Sequence, residues 1–335
     1  MQIARAVILA TPSARDTPWS CTGSGPKPLM PVATKPILFH TLEALRAAGV
    51  LEVALLTEPR TAATYEAAVG DGDSWGMRIG YTQCAADTDA GGALRVAADF
   101  VDGEPVLVLP ADAMLRERLR EHVVQFARDD LDALALMLRR PRPRPRPRSA
   151  EPLPRLPGGY LLSSRAVSLM RGGPPGRDPL ACLRHHGGNV RVLDVDGCLA
   201  CHGGEASLLE ANRLALGSIV TDVDRALEGC ETQGPVAIHL SAKLTNTFVR
   251  GPAIIGARSR LVDAYVGPYT SIGADARIEG AEIEHSIVMD GAQLLFVGSR
   301  MESSIIGRAA SVVRRFDMPS AMRVSIGDGA HVALS

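Results

Sequence analysis

The densest run of reactive side chains is "VDGCLACHGGE", residues 195–205. Cys198, Cys201 and His202 spell C-x-x-C-H, the spacing that attaches c-type haem. Two thiols and an imidazole also make part of a tetrahedral zinc site, and an ionised Cys201 would be a nucleophile. A second candidate is cationic. Lysine occurs only at Lys27, Lys35 and Lys243, and Lys27 is flanked by prolines in "GPKPLMP". A third is the carboxylate of Asp112 in "VLVLPADAM", at the end of an apolar run. There an open α/β sheet places its ligands. Six cysteines in 335 residues do not make a disulfide framework. A reduced, cytoplasmic setting is expected. Haem, which is attached outside the cytoplasm, and structural zinc are therefore not expected.

These groups need a scaffold, and the first half of the chain has the pattern of one. "ARAVILA", "LEVALLT", "MRIGYTQ", "EPVLVLPAD" and "LDALALML" read as strands. "PILFHTLEALRAAGV", "TAATYEAAVGD", "GGALRVAADFV" and "RERLREHVVQFARDD" between them carry helical spacing. Such alternation predicts a parallel sheet covered by helices on both faces, a three-layer Rossmann-like domain over residues 1–230. Arg139–Arg148, six arginines alternating with prolines, blocks helix and sheet and reads as a solvated loop. The net charge of −1 gives no field for nucleic acid, and no apolar run reaches the roughly 18 residues of a membrane span.

From residue 234 the texture changes. Ile255, Leu261, Val266, Ile272, Ile278, Ile283 and Val288 recur every five or six residues, with glycines and small residues between. One inward aliphatic per short strand is the hexapeptide pattern of a left-handed parallel β-helix, expected over 234–335 with a C-terminal tail. Such helices bring subunits together, so a homo-oligomer, a dimer or tetramer, is expected. His239 and His285, possible acyl-transfer histidines, read as surface residues.

"PKPLMPVATKPILFHTLEALRAAGV", "LLEANRLAL" and the six-residue repeat followed by "MPSAMRVSIGDGAHVAL" occur in that order. Together they resemble sugar-1-phosphate nucleotidyltransferases, specifically the long form of glucose-1-phosphate thymidylyltransferase. The resemblance implies that a sugar 1-phosphate attacks the α-phosphorus of a nucleoside triphosphate, with loss of pyrophosphate. It implies Lys27 and Arg15 at the phosphates, Ala10 and Gln83 at the nucleotide, and Asp112 as a nucleotide-side ligand of Mg²⁺. Glu151 and Gly159 would face the sugar phosphate.

The departures fall on the same motifs. Where the family has Leu-Ala-Gly-Gly-x-Gly-Thr-Arg, this chain reads "LATPSAR", residues 9–15. The glycines that let successive N–H groups face a triphosphate are gone, and Pro12 removes one donor outright. The second metal aspartate aligns with Cys201, its following threonine with His202 and a tryptophan with Cys198. C-x-x-C-H is then a product of substitution. In a strand, residues three apart face opposite ways, so Cys198 is expected to face away from the cleft and Cys201 into it. Thiolate is soft and Mg²⁺ hard, so the metal site should be weakened. Three functions stay open: nucleotidyl transfer, a degenerate homologue kept for binding, regulation or assembly, and altered chemistry at the same pocket.

Overall fold

The computed structural model describes residues 3–11, 25–86, 88–139, 156–172, 179–202, 204–223 and 229–314. Arg15, Glu151, Pro12, residues 140–148 of the Arg-Pro run and the tail from 315 onward lie outside them.

Eight strands form the first sheet: β1 Arg5–Leu9, β2 Glu52–Thr57, β3 Arg78–Gln83, β4 Val106–Pro110, β5 Ala113–Leu115, β6 Ala133–Arg139, β7 Leu156–Leu162 and β8 Val190–Leu199. Their order is β3-β2-β1-β4-β7-β6-β8-β5. The five strands read from sequence are present, as are helices α1 Ile37–Ala47, α2 Ala62–Val69, α3 Ala90–Val96 and α4 Leu119–Arg128. The sheet is not wholly parallel, however. β7 runs antiparallel to both β4 and β6, and β5 runs antiparallel to β8. Strand–helix alternation could not reveal this, because β7 follows β6 without an intervening helix among the described residues.

Successive residues of the central strands serve opposite faces. Ala6, Ile8, Leu107, Leu109, Leu134 and Leu136 pack with Leu38, Leu42 and Leu45 of α1 and Phe126 of α4. Val7, Val106, Val108, Ala133 and Ala135 pack on the other side with Ala93 and Leu94 of α3 and with Val167 and Leu183. The last two belong to α5 Ser164–Gly172 and α6 Pro179–His185. Helices on both faces of a strand layer make the Rossmann-like three-layer arrangement. A final helix, α7 Glu205–Leu216, leads toward the second half.

There every strand pairing is parallel. One ladder climbs through Val236–Ile238, Ala253–Ile255, Thr270–Ile272, Ile287–Val288 and Ile305–Ile306. A second climbs through Lys243–Arg250, Arg260–Val266, Arg277–Glu279, Gln293–Leu295 and Ser311–Val313. A third face branches from Val266 through Ile283 to Met301. Val236 registers with Ala253 and Ala253 with Thr270, so one coil takes 17 residues, close to three hexapeptides. The seven aliphatics that set the sequence period are all buried in one cluster.

Candidate active site

The C-terminal ends of the parallel strands carry three of the sequence-predicted positions, and a fourth lies on the antiparallel β7 beside them. Ala10 follows β1, Gln83 closes β3, and Asp112 comes two residues after β4. Gly159 lies in β7, next to Tyr160, which registers with Val108. Along the order β3-β2-β1-β4-β7 these positions span four strand spacings, about 19 Å, room for an extended ligand. Each has a different local reason to be there. The Ala10 N–H donates to the Leu56 carbonyl at 2.8 Å, so it is spent on the sheet and does not face a phosphate. Gln83 is exposed at the strand tip. A Cβ on Gly159 would lie 2.2 Å from Leu109 Cδ2 and 3.2 Å from the Val108 carbonyl oxygen, so a larger residue there would have to displace the Leu109 side chain.

Asp112 is buried and ties two segments together. Its carbonyl accepts from the Ala200 N–H at 3.0 Å. Its Oδ2 accepts from the Cys201 N–H at 2.9 Å and lies 3.4 Å from His202 Nδ1. The family resemblance brings positions 112 and 201 together, and the structure does so through the Cys201 backbone. The Cys201 side chain is 3% exposed, within an apolar cluster containing Cys198, Met30, Met114, Leu208 and Leu209. The two thiols therefore do not part to opposite faces as expected. β8 ends at Leu199, and it is Leu199 that packs on the opposite side from Cys198. The turn after it swings Cys201 back into the cluster of Cys198. Burial, with Glu210 and Asp112 adding negative charge nearby, pushes the Cys198 thiol far up, away from thiolate chemistry. Asp196 is exposed, and its N–H donates to Glu117 Oε1 at 3.3 Å, so it does not stand in for a second carboxylate beside Asp112.

Lys27 opens a single 3-10 turn, Lys27–Leu29, closed by the Met30 N–H donating to the Lys27 carbonyl at 2.9 Å. A small hairpin follows, pairing Val32 with Lys35. Met30 packs beside Met114 and Cys201, which seats the Lys27 turn next to the Asp112 segment. His40 of α1 fixes the hairpin through Nε2 to the Val32 carbonyl at 3.0 Å. Burial lowers the His40 pKa against the opposing effect of this bond.

The Mg²⁺ site that the resemblance implies is not matched by these donors. A hard cation needs several oxygens. Here one carboxylate has an oxygen already engaged by an amide, and its partner position holds a buried thiol. Among the described residues no group of three or more His, Cys, Asp or Glu side chains could hold a metal.

The Nucleotidyl transferase family model matches residues 6–147. A glucose-1-phosphate thymidylyltransferase from Streptomyces griseus is 31% identical, covering 94% of this chain and 95% of its own. The chain belongs to the sugar-1-phosphate nucleotidyltransferase family. A second glucose-1-phosphate thymidylyltransferase of that family, from Streptomyces antibioticus, is 28% identical over 93% of this chain and 95% of its own. A solved Bacillus anthracis structure, named for the same enzyme and in complex with a sucrose, superposes with a TM-score of 0.52 at 19% identity. It covers 63% of this chain and 94% of its own, and it supports the fold alone. Against the family pattern, two contributors here escaped sequence reasoning. His202, read there as part of C-x-x-C-H and as a replaced threonine, approaches Asp112. Asn212 is a polar residue on the apolar face of α7, a position that helical spacing alone could have flagged.

Proposed function

We propose that this chain joins a nucleoside monophosphate, dTMP from dTTP, to a hexose 1-phosphate and releases pyrophosphate. An oxygen of the sugar phosphate attacks the α-phosphorus, and the bond from that phosphorus to the β-phosphate oxygen breaks. The observation that supports this reading is that Gln83 and Asp112 lie at the C-terminal ends of parallel strands with Gly159 on the neighbouring β7, and that Met30, just after the Lys27 turn, shares a buried cluster with Met114. Lys27 and Arg15 balance phosphate charge, Ala10 and Gln83 face the nucleoside, and Glu151 and Gly159 face the sugar phosphate. Charge developing on the transferred phosphoryl and on pyrophosphate is what such cations stabilise. Family membership along nearly the whole chain supports the reaction class. The remaining features of the reading are a left-handed β-helix, a cytoplasmic homo-oligomer of two or four copies, and weak Mg²⁺ binding by the chain itself. Light scattering giving a stable 35.4 kDa monomer would refute the oligomer. Pyrophosphate release from a panel of nucleoside triphosphates and hexose 1-phosphates tests the reaction. dTTP with glucose 1-phosphate should turn over, and Lys27→Ala should lower the rate by about 10²-fold or more.

A second reading, a degenerate homologue retained for binding or assembly, is favoured by one observation. The Asp112 carboxylate is engaged by the Cys201 amide where the family places a second carboxylate. Saturable nucleotide binding with no pyrophosphate release from any pair would select it.

A further inference from the structure

We propose that Asn212 is a positioning residue through which the C-terminal coils hold the Lys27 turn in place, so that the coils are part of the phosphate-binding apparatus. The inference rests on the reading of Lys27 given above. Asn212 is 1% exposed, on the face of α7 that also carries Leu208, Leu209 and Leu216. A buried amide is tolerated only when its hydrogen bonds are made. Asn212 Oδ1 accepts from the Ala33 N–H at 2.8 Å, and Nδ2 donates to the Tyr269 carbonyl at 3.1 Å. Only one orientation of the amide satisfies both, so the side chain is fixed between hairpin and coil.

What it fixes at the hairpin end is strained. Ala33 and Thr34 have φ of 45° and 66°, a left-handed pair without glycine, and Thr34 is β-branched. Such backbone persists only where its surroundings over-determine it. The surroundings are Asn212 on the Ala33 N–H, His40 on the Val32 carbonyl, and the full burial of Val32 and Ile37. The hairpin begins directly after the Lys27 turn, and the Ile37 N–H closes back on the Met30 carbonyl at 2.9 Å. At the coil end, Tyr269 is itself held. Its N–H donates to the Pro252 carbonyl at 2.6 Å, and the Arg213 guanidinium lies 6.0 Å from its ring centre. Ile287 and Met289 of the coils complete the cluster around Met30. One side chain thus connects a rigid coil turn to the strained hairpin beside Lys27.

The test combines amide hydrogen exchange over residues 27–36 with steady-state kinetics on the full-length protein. Asn212→Leu removes both bonds, and Asn212→Asp keeps the acceptor while losing the donor to Tyr269. Asn212→Leu should speed exchange at Ala33 about tenfold or more, the effect of leaving a buried amide unpaired. Both variants should raise KM for the nucleoside triphosphate. Lys27→Ala should weaken triphosphate binding and leave Ala33 exchange at the parent rate. A purely structural Asn212 would instead lower the folded fraction, and hence apparent kcat, at constant KM. Parent-like KM in Asn212→Asp, which retains the hairpin bond and so folds if Asn212→Leu does not, overturns the proposal. So does parent-like exchange in Asn212→Leu. If the parent protein binds no nucleoside triphosphate at all, the nucleotidyl-transfer reading fails on that result. The exchange arm then decides the coupling by itself, with faster exchange supporting it and unchanged exchange overturning it.

Discussion

Cys201 is buried, and its backbone amide holds the Asp112 carboxylate. If the absent carboxylate is what limits metal binding, Cys201→Asp should bind Mn²⁺ measurably more tightly than the parent, read by the loss of free-ion signal in electron paramagnetic resonance. Equal titrations would show that something else limits the site. Asp112 is also a staple: Asp112→Ala leaves the Cys201 amide without its acceptor and should cost about 1–3 kcal/mol in denaturant unfolding. The thiols should separate by accessibility. Cys182 and Cys230 are partly exposed, whereas Cys84, Cys198 and Cys201 are buried. A disulfide reagent should therefore modify the first two at once and the last three only on unfolding. The place of Asp112 at the end of a central strand was legible in sequence, because it follows an apolar run. The orientation of Cys201 was not, because alternation along a strand ends with the strand, and the turn that follows obeys no period.

Among the elements, helices α1 and α4 carry a titration. His40 and His122 are both held below the ordinary histidine value of 6.5, chiefly by burial. The unfolded chain then binds protons that the folded chain refuses, in the interval from 6.5 down to the folded values. Linkage makes stability rise with pH across that window. The contribution is complete above 6.5 and is lost as pH falls below it. Melting temperature should drop between pH 7.5 and 5.5, and His40→Phe with His122→Phe should flatten the slope. An unchanged slope in the double variant would assign the acid sensitivity elsewhere. The central strands were readable as short apolar runs, and α1 and α4 from the helical spacing of their apolar residues. The direction of β7 was not, because pairing is decided by neighbours that no local pattern names. The six-residue period of the second half was legible because its seven aliphatics all enter one buried cluster.

At the scale of the molecule, the two halves share one buried cluster, with Met30, Leu209, Ile287 and Met289 in it. Truncation after residue 229 should expose that apolar surface and lower solubility, measured as light scattering on concentration. The near-zero net charge and a pI of about 6.7 place the solubility minimum of the intact chain close to neutral pH. One topological fact also bears on how the chain is made. β7 lies between β4 and β6, yet both precede it in sequence. During synthesis β4 and β6 emerge first and have no contact along their facing edges. The sheet is joined only when residues 156–162 leave the ribosome and slide between them. A chain ending before residue 156 would leave the facing edges of β4 and β6 unpaired, both awaiting the same missing strand. Such a chain would expose both edges to pairing with other chains.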